Sequence, residues 1–191
     1  MNTTTVVEQS VLGDRQWDIF SRLMKDRIVF ISGNIDDDLA NTVVGQLLFL
    51  EKESSTDPIY LYINSNGGYV DAGLAVLDTM RYVACPVYTI CVGKAMSMAA
   101  ILLSAGAKGN RACLEHSRVM LHQPIGGAFG QASDVLIQAD EMRKMKKILI
   151  KIISDNTGVE EDTVERDVDR DFYLSAQEAL EYGLIDKIIK K

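Results

Sequence analysis

Two side chains with hydrolytic chemistry lie in the stretch Gly93 to His122. One is Ser97, within Lys94-Ala95-Met96-Ser97-Met98-Ala99; the other is His122, closing the apolar run Val119-Met120-Leu121. A serine hydroxyl becomes a nucleophile when a base takes its proton and a third group orients that base. The chain has only two histidines, His116 and His122, so Ser–His chemistry within one chain must choose between them. His116 lies in the polar turn Leu114-Glu115-His116-Ser117 and reads as a solvated surface group. His122 stands at a strand end before a glycine-rich loop, the better position for a general base. Spacing leaves the carboxylate open, because the run Glu165–Asp171 offers several acids and reads by composition as a charged surface.

Ser97 also has a plain reading as the capping serine of a helix. The same position sets its hydroxyl beside unpaired backbone N–H groups, which suit the oxyanion of a tetrahedral acyl intermediate. Asn66-Gly67-Gly68 follows the clearest strand, where an α/β sheet tends to place its ligand sites. Two successive glycines can turn N–H groups into a cleft, although most such pairs are only turns.

Other chemistries lack their motifs. Gly93-Lys94 has neither the upstream glycine nor the following hydroxyl of a phosphate-binding loop, and no G-x-G-x-x-G occurs. Ser97 does not sit in G-x-S-x-G. Two histidines make a histidine-based metal site unexpected. Asp36-Asp37-Asp38 reads as helix capping rather than a metal cluster. Cys85, Cys91 and Cys113 form no C-x-x-C pair and read as buried hydrophobes in a reducing compartment. A net charge of −7 argues against nucleic acid as the main ligand. No apolar run reaches membrane-spanning length, and MNTTTVVEQS lacks the features of a secretory signal, so a cytoplasmic location is expected.

The elements that must position these residues alternate between strand and helix over 191 residues, which predicts one α/β domain with a largely parallel sheet. Residues 1–13 lack periodicity and read as a frayed terminus. Asp14 is the expected cap of a helix with the stripe Trp17, Phe20, Leu23 and Met24. Strands are expected at Arg27–Ile31, Ile59–Ile63, Val87–Cys91, Arg111–Leu114, Arg118–His122 and Leu184–Ile189. Ser32-Gly33-Asn34 and the Gly93 region read as turns. Helices are expected after Asp36 and Asp71 and over Ser97–Ala105, closed by Gly106. Gln123–Gly130 reads as a loop or irregular strand, and Gln131–Asp155 as one long amphipathic helix. Ser175-Ala176-Gln177-Glu178 is a capping box opening a short helix stopped by Gly183.

Taken together, these pieces resemble the ClpP family, the serine peptidase subunits of ATP-dependent Clp proteases. The most specific blocks are YLYINSNGG at 60–68, MSMAAILLSAGAKGNR at 96–111, SRVMLHQPIGG at 117–127 and DRDFYLSAQEALEYGLID at 169–186. The resemblance implies Ser97 as nucleophile, His122 as general base and Asp171 as orienting carboxylate, and so picks one acid out of the run. It implies an oxyanion hole from the N–H groups of Gly68 and Met98. It also implies a crotonase-like β-α superhelix whose protruding handle, a strand and helix over about 123–155, lies between two stacked heptameric rings. Asp169 and Arg170 match an inter-ring contact pair. Tyr60, Tyr62, Ile90 and Leu114 match pockets that receive a hexameric partner ATPase of the ClpX, ClpA or ClpC type. Residues 1–13 match a flexible segment gating the axial pore. The implied substrates are unfolded proteins. No cofactor or metal is implied, since ATP is used by the partner, and neither nucleic acid nor membrane is an expected partner.

Some positions depart from the family pattern. Asn66 stands where many members have proline, Val92 replaces a methionine, Ala99 a glycine, and Ala112 an aromatic beside the docking pocket. A weakly active or regulatory subunit of rings mixed with a paralogue is therefore an alternative reading. A crotonase-type acyl-CoA enzyme is another, since it shares the fold and a paired N–H oxyanion hole.

Overall fold

The strand that delivers Ser97 is twice the length its apolar run suggests. In the computed structural model, which describes residues 4–9 and 13–190, β5 spans Val87–Met96 and ends immediately before the serine. Ahead of it come the hairpin β1 (Thr5–Glu8) and β2 (Arg15–Asp18), helix α1 (Ile19–Met24) and strand β3 (Ile28–Ile35). Helix α2 (Asp37–Glu53), strand β4 (Ile59–Gly68) and helix α3 (Val70–Tyr82) complete that half. After β5 follow α4 (Met98–Ser104), β6 (Arg111–Leu114) and β7 (Arg118–Leu121). The chain closes with α5 (Ala132–Thr157), α6 (Glu161–Asp167), β8 (Phe172–Ser175), α7 (Ala176–Glu181) and β9 (Lys187–Ile189).

The main sheet runs β3-β4-β5-β6-β9, every neighbour parallel. β5 changes partner along its length. Thr89–Cys91 pairs with β6, and Lys94–Met96 pairs with β7, which in turn pairs antiparallel with β8. The sheet therefore forks where β5 approaches Ser97. One face is covered by helices: α2 buries Ala40, Val43, Leu47 and Leu50 at spacings of three and four. α3 buries Val76, Leu77 and Met80 in the same way. α4 is buried along its whole length, which its small and aliphatic residues permit. A single cluster of buried side chains runs from Val29 to Ile185.

The structure bears out an α/β fold with a mostly parallel sheet and corrects several boundaries. Residues 1–13 are not uniformly frayed: Thr5–Glu8 pairs in register with Arg15–Asp18, while residues 1–3 and 10–12 of that segment lie outside the described residues. Trp17 is in a strand, and the helix cap is Asp18, whose carboxylate accepts from the N–H groups of Phe20 and Ser21, rather than Asp14. β3 passes through Ser32-Gly33-Asn34, and β5 through Gly93. In each case a glycine takes a left-handed φ (82° at Gly33, 84° at Gly93) inside a strand that still finds pairing partners. The short final strand begins at Lys187, not Leu184. Residues 123–130, expected as the strand part of a handle, form no regular strand, and their three glycines give no side chains to pack.

Candidate active site

Ser97 is held in a conformation that an ordinary capping serine does not need. Its φ of 55° and ψ of −126° make it one of two non-glycine residues with positive φ among those described. Its backbone N–H donates to the Met120 carbonyl at 2.8 Å, fixing the turn to β7. The side chain makes no capping hydrogen bond to α4, so the plain capping reading fails. The Ser97 hydroxyl points instead to His122, with Oγ 2.8 Å from Nε2.

The ladder between β7 and β8 places the third group. Its pairs run from Arg118↔Ser175 to Leu121↔Phe172, so continuing the register by one residue sets His122 opposite Asp171. Their side chains meet, with Nδ1 3.0 Å from the Asp171 carboxylate. An ionised carboxylate can only accept, so the shared proton sits on Nδ1 and Nε2 is left to accept from the serine. The His122 side chain is 17% exposed and Asp171 is 53% exposed. This arrangement can draw the proton from a serine oxygen and hold the resulting imidazolium against a carboxylate.

Beside the serine lies a cavity of about 260 Å³, lined by Gly68, Ser97, Met98 and His122 with the apolar side chains of Ile101 and Leu149. Gly68 and Met98, the two residues expected to supply oxyanion donors, line the same cavity as Ser97 and His122. The end of β4 reaches them only because it is glycine. A Cβ on Gly67 would lie 2.6 Å from the Met96 carbonyl oxygen and 2.8 Å from the Ser97 Cβ. On Gly68 it would lie 2.2 Å from the Ile35 carbonyl oxygen. Gly73 of α3 serves the other side, since a Cβ there would stand 2.1 Å from the Met98 Cγ.

The remaining acids of the run each have another partner. Glu165 pairs with Lys146 at 3.1 Å, and Asp167 accepts from the Tyr182 hydroxyl at 2.9 Å. Burial, reinforced by that carboxylate, pushes the Tyr182 phenol above its ordinary range. Asp169 accepts from the Gln123 amide at 3.2 Å and lies 3.9 Å from Arg170, whose side chain is 94% exposed. Asp169 and Arg170 therefore sit next to the site but outside the Ser97–His122–Asp171 chain. Gln123 is the residue that sequence reading missed, and its adjacency to His122 was the only signal.

Tyr60, Tyr62, Ile90 and Leu114 do not line the cavity at Ser97; strand alternation sets them on the sheet face opposite Leu61, Cys91 and Cys113. Tyr62 stacks on Phe30 and is in register with Ile90, so the four belong to one apolar surface. His116 is exposed, as expected. Among the described residues no group of three or more His, Cys, Asp or Glu side chains could hold a metal ion. No helix among them is long and apolar enough to cross a membrane.

The fold is α/β, with a largely parallel sheet that forks along β5 and brings a serine, a histidine and a carboxylate together beyond the fork. Residues 12–191 match the family model for Clp protease, and the chain belongs to that family of peptidases.

Proposed function

We propose that this chain is a serine endopeptidase that forms an acyl-enzyme on Ser97. The observation that carries the reading is the continuous hydrogen-bonded chain from Ser97 Oγ through His122 to Asp171, at 2.8 and 3.0 Å. His122 Nε2 takes the hydroxyl proton as Oγ attacks a peptide carbonyl, and then delivers it to the leaving amine. Asp171 fixes the tautomer and stabilises the imidazolium. The backbone N–H groups of Gly68 and Met98 receive the oxyanion at the mouth of the cavity. Water enters by the reverse steps, with His122 as base, and releases the acid product.

The wider reading follows family membership. The chain acts as one peptidase domain in two stacked heptameric rings, and α5 with the preceding segment makes the contact between them. A hexameric Clp ATPase docks over Tyr60, Tyr62, Ile90 and Leu114 and feeds in unfolded proteins, using ATP that this chain does not bind. The aligned side chains favour an active subunit over a regulatory one. They also disfavour an acyl-CoA enzyme, which has no need of a serine nucleophile.

Turnover of short fluorogenic peptides by the purified protein tests this. Ser97→Ala should lower kcat by at least about 10³-fold with assembly unchanged. Equal turnover by both proteins would remove the serine from the chemistry.

A further inference from the structure

Asp171 meets His122 just beyond the last β7–β8 pair, Leu121↔Phe172, where no ladder hydrogen bond holds it. Continuing the ladder would set Gln123 opposite Arg170. Instead the Gln123 N–H donates to the Val168 carbonyl at 2.7 Å, which leaves residues 169 and 170 as a bow outside the ladder. The bowed segment has little packing to hold it. Asp169, Arg170 and Asp171 side chains are 62, 94 and 53% exposed. A cavity of about 630 Å³ opens beside them.

Gln123 supplies what packing does not. Its side-chain amide donates to the Asp169 carbonyl at 2.9 Å and to the Asp169 carboxylate at 3.2 Å. Both partners are acceptors, so the amide must present its NH₂ group to both, and glutamate could not replace it. The far end of the segment is fixed separately, by the Tyr182 hydroxyl on Asp167. Resting on the Ser97–His122–Asp171 reading above, we propose that Gln123 is a positioning residue. Its amide clamps the bowed segment so that the Asp171 carboxylate stays within reach of His122 Nδ1. One dipeptide then carries both the imidazole and the clamp that brings its carboxylate.

Gln123→Met keeps the length of the side chain and removes both donors. Peptide kinetics should show kcat lowered by up to about 100-fold, the scale for misplacing a reacting group by about 1 Å. KM should change by less than about twofold, as expected for an interaction that matters in the transition state. Gln123→Glu should be worse, because its charge faces Asp169. In an Asp171→Ala background the same Gln123→Met change should alter the residual kcat by less than about twofold, since the clamp then holds nothing.

Wild-type kcat in Gln123→Met, or a loss that multiplies that of Asp171→Ala, would overturn the proposal. So would loss of folded, assembled protein in both Gln123 variants, which would make the residue structural. Failure of the underlying reading is separable: there Ser97→Ala and wild type would turn over alike, whatever Gln123 carries.

Discussion

Ser97 stores strain that a merely structural serine would shed. A non-glycine residue at φ 55°, ψ −126° costs about 1–3 kcal/mol. Here the β7 carbonyl on its N–H and the packing of Gly67 against it keep it in place. Ser97→Gly should therefore be more thermally stable than Ser97→Ala by about 1 kcal/mol, although glycine normally loses to alanine. Matched melting curves of the two inactive variants check this, and a less stable glycine variant would deny the strain. At this scale the sequence was legible where chemistry restricts choice. Two histidines, one of them in a polar turn, left His122. It was not legible for the carboxylate. Asp171 is set apart from Glu165, Asp167 and Asp169 by strand register and by those residues' other partners, and neither shows in a run of acids.

At the scale of elements, apolar cores of strands were readable and their extensions were not. Val87–Cys91 announces itself by side chains, whereas Gly93-Lys94-Ala95-Met96 is strand only because β7 and the end of β4 lie beside it. β8 has four residues and owes its existence to β7. The capping box at Ser175, a purely local device, came through intact. The pin between β6 and β9 is an ion pair between a buried arginine and a partly buried carboxylate. Arg111, 4% exposed, gives two hydrogen bonds from its guanidinium to Asp186 at 2.9 and 2.7 Å. It also reaches the carbonyls of Ser104 and Asn156, tying α4 and α5 to the same point. Asp186→Asn should cost about 2–3 kcal/mol, because the guanidinium loses its counter-charge but keeps its two carbonyl partners. Burial works to raise the Asp186 carboxyl, but the hydrogen bonds and charge of Arg111 outweigh it and hold the group below its ordinary value of 3.8. The folded state therefore gains stability from this pair above about pH 4, and loses it as pH falls through the lowered value. Denaturant midpoints measured from pH 6 to pH 3 should fall more steeply for wild type than for Asp186→Asn; parallel slopes would contradict the assignment.

For the whole molecule, the most exposed aliphatic and phenyl side chains lie just before and at the start of the long helix. Ile125, Phe129, Leu136 and Ile137 are 81, 95, 67 and 66% exposed, while the residues α5 buries all lie between Leu149 and Ile153. A helix of 26 residues, about 39 Å long, is anchored at one end and carries its bare hydrophobics at the other. Amphipathic spacing predicted the helix, but a single chain could not say which part of the stripe faces its own core. On the proposed double ring this end meets its counterpart. Leu136→Asp with Ile137→Asp should shift sedimentation from fourteen subunits toward seven or fewer. Arg170→Ala should lower assembly and peptidase activity together, and full activity in separated rings would sever that link. The most direct test of the central claim is mass mapping after reaction of the assembled protein with a fluorophosphonate, which labels only activated serines. A single adduct on the peptide holding Ser97, lost in His122→Ala, is the predicted result. No adduct, or one on another serine with Ser97 untouched, would contradict it.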